Sequence, residues 1–222
     1  MLASVLLPPA LYGKQPARVD RSRISAITDE IARSPEGAIA FLKQYGLRLA
    51  ELREVPGGGG TYDEALSEVQ LRTAAKQFKD AGIRVSFLDA GSMKYFLPGT
   101  EPPARRGETA EARAKRIAGY GAEFDRRMDH LDKAIRAAKI LGTDMVRIFA
   151  FGRVAEPMQL MPRIAQVLEP MVAVAAKQKV RLLVENEGAC NLVNRPVFLH
   201  AADLRVLNSA SICFSIFTSS GL

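Results

Sequence analysis

The chain has 222 residues, 48% of them hydrophobic and 25% charged. That balance supplies one domain with a substantial core and excludes a collagenous, disulfide-rich or mostly disordered chain. The 31 Lys+Arg against 24 Asp+Glu give a net charge of +7, which favours anionic partners in general.

The basic excess is densest from Arg105 to Arg127, where Glu108, Glu111, Glu123 and Asp125 are interleaved. A solvated helical face fits this pattern better than a nucleic-acid stripe. No apolar run approaches the roughly 20 residues of a membrane-spanning helix. Cys190 and Cys213 have no paired spacing and read as free thiols of a reducing compartment. Residues 1–23 read as a leader. Within it, Leu2 to Leu11 is an apolar run broken by Pro8 and Pro9, without the basic start of an export signal. A cytoplasmic location is the expectation, with the remnant of an export signal as the alternative.

From Ile24 onward short β-like runs alternate with helical patterns. Ile24–Thr28 is the first strand candidate. Ser34-Pro35-Glu36 then supplies an N-cap with proline at the first helical position, and Gly46 closes that helix. Leu47–Leu52 is the second strand. Thr61 and Glu64 have capping-box spacing for a helix that closes near Gly82. Ile83–Leu88 is the third strand. A long segment with Pro98, Pro102 and Pro103 precedes a helix from about Glu123 to Leu141, and Gly142 stops it. Met145–Ala150 is the fourth strand. Ile164, Val167, Leu168, Met171, Val172 and Ala175 form the stripe of another helix. Val180–Val184 is the fifth strand, and Pro196–Leu207 is compatible with one more helix.

This rhythm requires a parallel α/β sheet, either doubly wound or part of a barrel. The first strand is followed by Asp29-Glu30-Ile31-Ala32-Arg33, not by the glycine fingerprint of a nucleotide-binding sheet. The Gly57–Gly60 run lacks the Lys-Ser/Thr of a phosphate loop and reads as a mobile βα connection rather than a phosphate cradle.

Ligands of α/β folds meet the carboxyl ends of the strands. Those ends carry Asp29-Glu30, Glu51-Leu52-Arg53-Glu54, Asp89, Arg147 and Glu185-Asn186-Glu187. Period-two alternation puts Glu185 and Glu187 on one face. A divalent metal would compensate the cost of burying them, and an exposed loop fits the spacing equally well. Arg147 shares a face with Met145 and Phe149. Arg147 is expected within a few ångströms of Glu51, either holding a substrate or as a purely structural ion pair. His130 and His200 are the only histidines, too few for a histidine-rich zinc nuclease cluster. They read as packing or surface residues.

Taken in order, Ser25-Ala26-Ile27-Thr28-Asp29-Glu30-Ile31, Leu49-Ala50-Glu51-Leu52-Arg53, Val146-Arg147-Ile148-Phe149 and Leu183-Val184-Glu185-Asn186-Glu187 resemble the xylose isomerase-like superfamily, in its sugar phosphate isomerase/epimerase branch. The resemblance implies a (β/α)8 TIM barrel acting on a sugar or sugar phosphate with a divalent metal (Mn, Mg, Co or Zn). It makes Glu185 the matching metal ligand and catalytic carboxylate, and Arg147, Glu51 and Glu187 substrate-binding. The family's other ligands, an aspartate, a histidine and a glutamate, come from strands six to eight. Here Asn208 is followed by a β-prone stretch to Leu222, and no charged residue follows Arg205. The expectation is therefore an incomplete barrel of about five βα units plus a doubtful sixth strand over 24–208, with 209–222 an atypical tail. A truncated or frameshifted product accounts for it, as does a diverged sixth strand. One glutamate does not hold a catalytic metal, so little isomerase activity is expected of this chain alone. The alternative is a silent fragment, or a small-molecule or protein-binding half-barrel whose open sheet invites self-association.

Overall fold

The strand candidates pair side by side in the order in which the chain makes them. The computed structural model describes residues 20–185, 187–191 and 197–199. β1 (Ser25–Ile27), β2 (Leu49–Leu52), β3 (Arg84–Asp89), β4 (Met145–Ile148) and β5 (Arg181–Val184) are parallel neighbours. A sheet wound without any reversal of order has no switch point, which separates it from the doubly wound alternative. It is an open arc of an α/β barrel.

The helices between the strands form where the sequence caps them. α1 (Thr28–Ile31) is a single turn at the end of β1. In α2 (Pro35–Gln44) the Ser34 side chain accepts from the Gly37 N–H, and Pro35 opens the first turn. The capping box lies later than the spacing predicts. Thr61 gives α3 (Tyr62–Ala65) no side-chain cap, and Leu66 is extended. Ser67 and Gln70 then exchange reciprocal bonds and open α4 (Glu68–Asp80). α5 (Ala110–Asp125) starts on Thr109, which caps Ala112. α6 (Arg127–Leu141) ends on Gly142 in the left-handed conformation. α7 (Pro157–Lys177) buries Ile164, Leu168, Met171, Val172 and Ala175, five of the six stripe residues.

The core lies between the sheet and these helices, with Leu88, Val146, Ile148, Leu182 and Val184 meeting Phe78, Ile135, Ala138 and Leu168. No helix among the described residues is long and apolar enough to cross a membrane.

Three details refine or correct the sequence expectation. Residues 197–199 are not helical: β6 (Val197–Leu199) pairs antiparallel with β5. Val-Phe-Leu has strand propensity, and it covers the β5 edge, whose backbone groups would otherwise be unpaired. The remainder of Pro196–Leu207, His200, Cys213, residues 1–19 and the tail from Ser209 lie outside the described residues. Gly57–Gly60 make a hydrogen-bonded turn closed by the Glu54–Thr61 bridge, all four at positive φ.

The third difference is in β3. Its register against β2 shifts between Ala50 and Glu51, because Ala50 faces Val85 while Glu51 faces Phe87. Ser86 is the extra residue of this bulge. Its hydroxyl reaches Ser25 Oγ at 2.7 Å and donates to the Ala50 carbonyl at 3.0 Å.

Candidate active site

The carboxyl ends of β2 to β5 bring one guanidinium against three carboxylates. Arg147, on β4, points into the arc between Val146 and Ile148, which face the helices. Its Nη1 lies 2.8 Å from Glu51 Oε1 and its Nε 3.2 Å from Glu185 Oε2, and its Nη2 donates to Asp89 Oδ2. Each nitrogen of the fork meets a different strand. The expected approach of Arg147 to Glu51 is present. Asp89, visible in the sequence only as a polar strand end, is the third partner. The signal for it was a lone carboxylate directly after the apolar pair Phe87-Leu88.

The cluster is sealed at one end and open at the other. The Asp89 side chain is fully buried and that of Glu51 is 7% exposed, whereas that of Glu185 is 27% exposed. Burial pushes the Glu51 carboxyl up to about 7, more than the adjacent Arg147 charge holds it down. Burial also raises Glu185, again against the pull of Arg147. For Arg147 itself burial works against the charge, but the Asp89 hydrogen bond and the surrounding carboxylates outweigh it and raise the guanidinium further.

Glu187 lies beside this cluster in a second ion pair, 2.9 Å from Lys94 Nζ, and the ammonium stands over the Phe149 ring. Arg53, which follows Glu51 at the end of β2, turns to the end of β1 and pairs with Asp29 at 2.5 Å and Glu30 at 3.1 Å. His130 lies on α6, 3.8 Å from Glu123 and remote in sequence from every strand end. Cys190 is a buried free thiol. In the basic segment, Arg116 is locked to Glu108 at 2.6 Å, and Arg127 packs over Phe124.

Glu51 ties stability to pH. The folded protein keeps this proton where the unfolded chain has lost it, so the penalty is absent below the ordinary value of 4.5. It grows as pH rises and is complete above about 7. Glu51→Gln keeps the shape of the neutral form and is expected to lose about 3 kcal/mol less than the wild type between about pH 5 and about pH 8. Urea unfolding at the two pH values checks this, and equal losses in both proteins would rule it out.

With Arg147 standing among them, the residues present do not fit a divalent ion. Among the described residues no group of three His, Cys, Asp or Glu side chains is placed to hold one. Glu51, Asp89 and Glu185 are spread around the guanidinium, and Glu185 serves Arg147.

No protein-family model matches the sequence, and neither does any curated protein. Solved structures do match the fold. The probable 3-DHS dehydratase AsbF from Bacillus anthracis superposes with a TM-score of 0.51 at 13% identity, covering 75% of this chain and 53% of that one. That likeness shows the fold, an open part of an α/β barrel. A sugar phosphate isomerase/epimerase from Parabacteroides distasonis is similar at 15% identity and a TM-score of 0.44, covering 75% of this chain and 52% of that one. A xylose isomerase domain protein from Planctomyces limnophilus is similar at 10% identity and a TM-score of 0.45, with coverage of 75% and 55%. The chain thus spans about half the length of these solved structures that it matches.

Proposed function

We propose that the chain carries a sugar-binding site of the isomerase/epimerase type at the carboxyl ends of β2 to β5. The observation that carries this reading is the convergence of Glu51, Asp89 and Glu185 on Arg147 at the end of a parallel sheet where α/β folds bind ligands. Three carboxylates against one guanidinium leave the cluster acidic. It suits a neutral polyhydroxylated carbonyl compound, whose hydroxyls donate to carboxylates, better than the phosphate of a phosphorylated sugar.

Isomerisation and epimerisation both remove a proton from a carbon next to a carbonyl and return it elsewhere. A carboxyl group held near neutrality accepts and gives back such a proton at little cost. Glu51 has that property, and Glu185 is the more accessible carboxylate and the one to meet the ligand. Arg147 is a positioning residue that holds both, and Glu187, drawn to Lys94, borders the ligand. Turnover by the 222 residues alone is low on this reading. The half-barrel binding module remains the alternative that the same acidic pocket supports.

Calorimetric titration of the full chain with D-fructose tests the proposal. Millimolar binding weakened about tenfold by Glu185→Gln is the expected result, since the variant loses one charge-assisted hydrogen bond. No binding of any ketose or aldose would overturn it. Wash-in of solvent deuterium at the carbon beside the carbonyl, followed by NMR, separates the two readings. Wash-in dependent on Glu51, however slow, supports proton transfer, and binding without any wash-in supports the module.

A further inference from the structure

We propose that Arg147 is the resident cation of this cluster and keeps out a divalent ion that the same three carboxylates would otherwise gather. The carboxylates reach the three nitrogens of one guanidinium from β2, β3 and the end of β5, so the cation standing there holds three strand ends together. The guanidinium meets them largely by charge. Glu51 Oε1, Glu185 Oε2 and Arg147 Nε are buried and make no directed hydrogen bond, although each lies within ion-pair distance. Two carboxylate oxygens are thus left as open acceptors facing the cation. Hard divalent ions take oxygen ligands and bind more tightly as the number of charged ligands rises. The Arg147 guanidinium already supplies the positive charge and fills the space between the carboxylates, and so excludes a divalent ion from this site.

The two cations are therefore exchangeable by mutation. Arg147→Met keeps most of the side-chain volume and removes the charge. In a Mn2+ titration of the full chain followed by electron paramagnetic resonance, the wild type is expected to bind only weakly. Arg147→Met is expected to bind about 100-fold more tightly, within the range over which ligand charge tunes divalent affinity. Glu185→Gln on the Arg147→Met background is expected to return the affinity to the wild-type level. A folded Arg147→Met protein with no gain would overturn the proposal, as would tight Mn2+ binding by the wild type that Glu185→Gln abolishes. If Arg147→Met is unfolded in buffer, Mn2+ is expected to restore its circular dichroism spectrum. If it stays unfolded, the wild type decides: Mn2+ affinity unchanged by Glu185→Gln upholds the proposal, and a loss overturns it. This assay reads no sugar, so the cation and the ligand of the site are tested separately.

Discussion

Replacing Arg147 by methionine is expected to remove about 3–5 kcal/mol of folding stability near neutral pH. The side chain is 12% exposed and stands between carboxylates that are themselves almost wholly buried. Without it, the fully buried Asp89 and the almost wholly buried Glu51 face the partly exposed Glu185 with no cation between them. Burial already raises the Glu51 and Glu185 carboxyls, and losing the Arg147 charge removes what holds them down, so the variant loses stability as pH rises and recovers it as pH falls. Urea unfolding at about pH 5 and about pH 8 reads both effects. A deficit of the same size at both pH values would show that Arg147 acts through packing and not through charge.

The second large effect is expected at Phe151, where the chain leaves β4. Phe151→Ala is expected to cost about 3–5 kcal/mol, the range for a large aromatic truncated in a core. The ring is fully buried, edge-on to Tyr95 at 5.6 Å between centroids and tilted against Phe124 at 6.3 Å. Its backbone is also a junction. The Phe151 N–H donates to the Met93 carbonyl at 3.0 Å, and its own carbonyl accepts from the Asn191 N–H at 3.1 Å. The loops after β3, β4 and β5 therefore meet at one residue. Phe151 sits at φ 61°, a region that an L side chain occupies only under strain. Phe151→Gly is accordingly expected to be no less stable than Phe151→Ala, because glycine relieves that strain. Thermal unfolding of the two variants side by side checks the order. A glycine variant well below the alanine variant would show that the backbone there is unstrained.

The parts legible in the sequence were those governed by a regular period. The five parallel strands are short runs rich in Val, Ile and Leu. The stripe of α7 repeats at helical spacing, and alternation within Met145–Phe149 puts Arg147 on the inner face with Glu51 in reach. α5 is legible only as the solvated helical face of Arg105–Arg127 and not as a bounded element, because it buries no residue and so carries no core-facing stripe to mark its ends. The start of α4 was placed too early because Thr61 and Glu64 have the right spacing, while only Ser67 and Gln70 make the reciprocal bonds. β6 was misread because its three residues gain their structure from the β5 edge, a partner that local sequence does not show. The role of Asp89 was hidden for a different reason. Strict alternation along β3 groups it with Val85, which belongs to the core under the helices.

What resolves that conflict is the single extra residue at Ser86. Val85 and Leu88 both face the helices although they are three apart, an odd separation that an unbroken strand does not allow. The bulge therefore acts as a parity switch on everything downstream in β3. With it, Phe87 and Asp89 join Arg147 inside the arc, with the Phe87 ring 5.8 Å from the guanidinium. Without it, the same sequence would deliver the aspartate to the apolar layer and leave the arginine one counter-charge short. The composition of the site is thus set by a count of residues as much as by their identity. Along this strand a deletion is a different kind of event from a substitution, because it exchanges inside for outside.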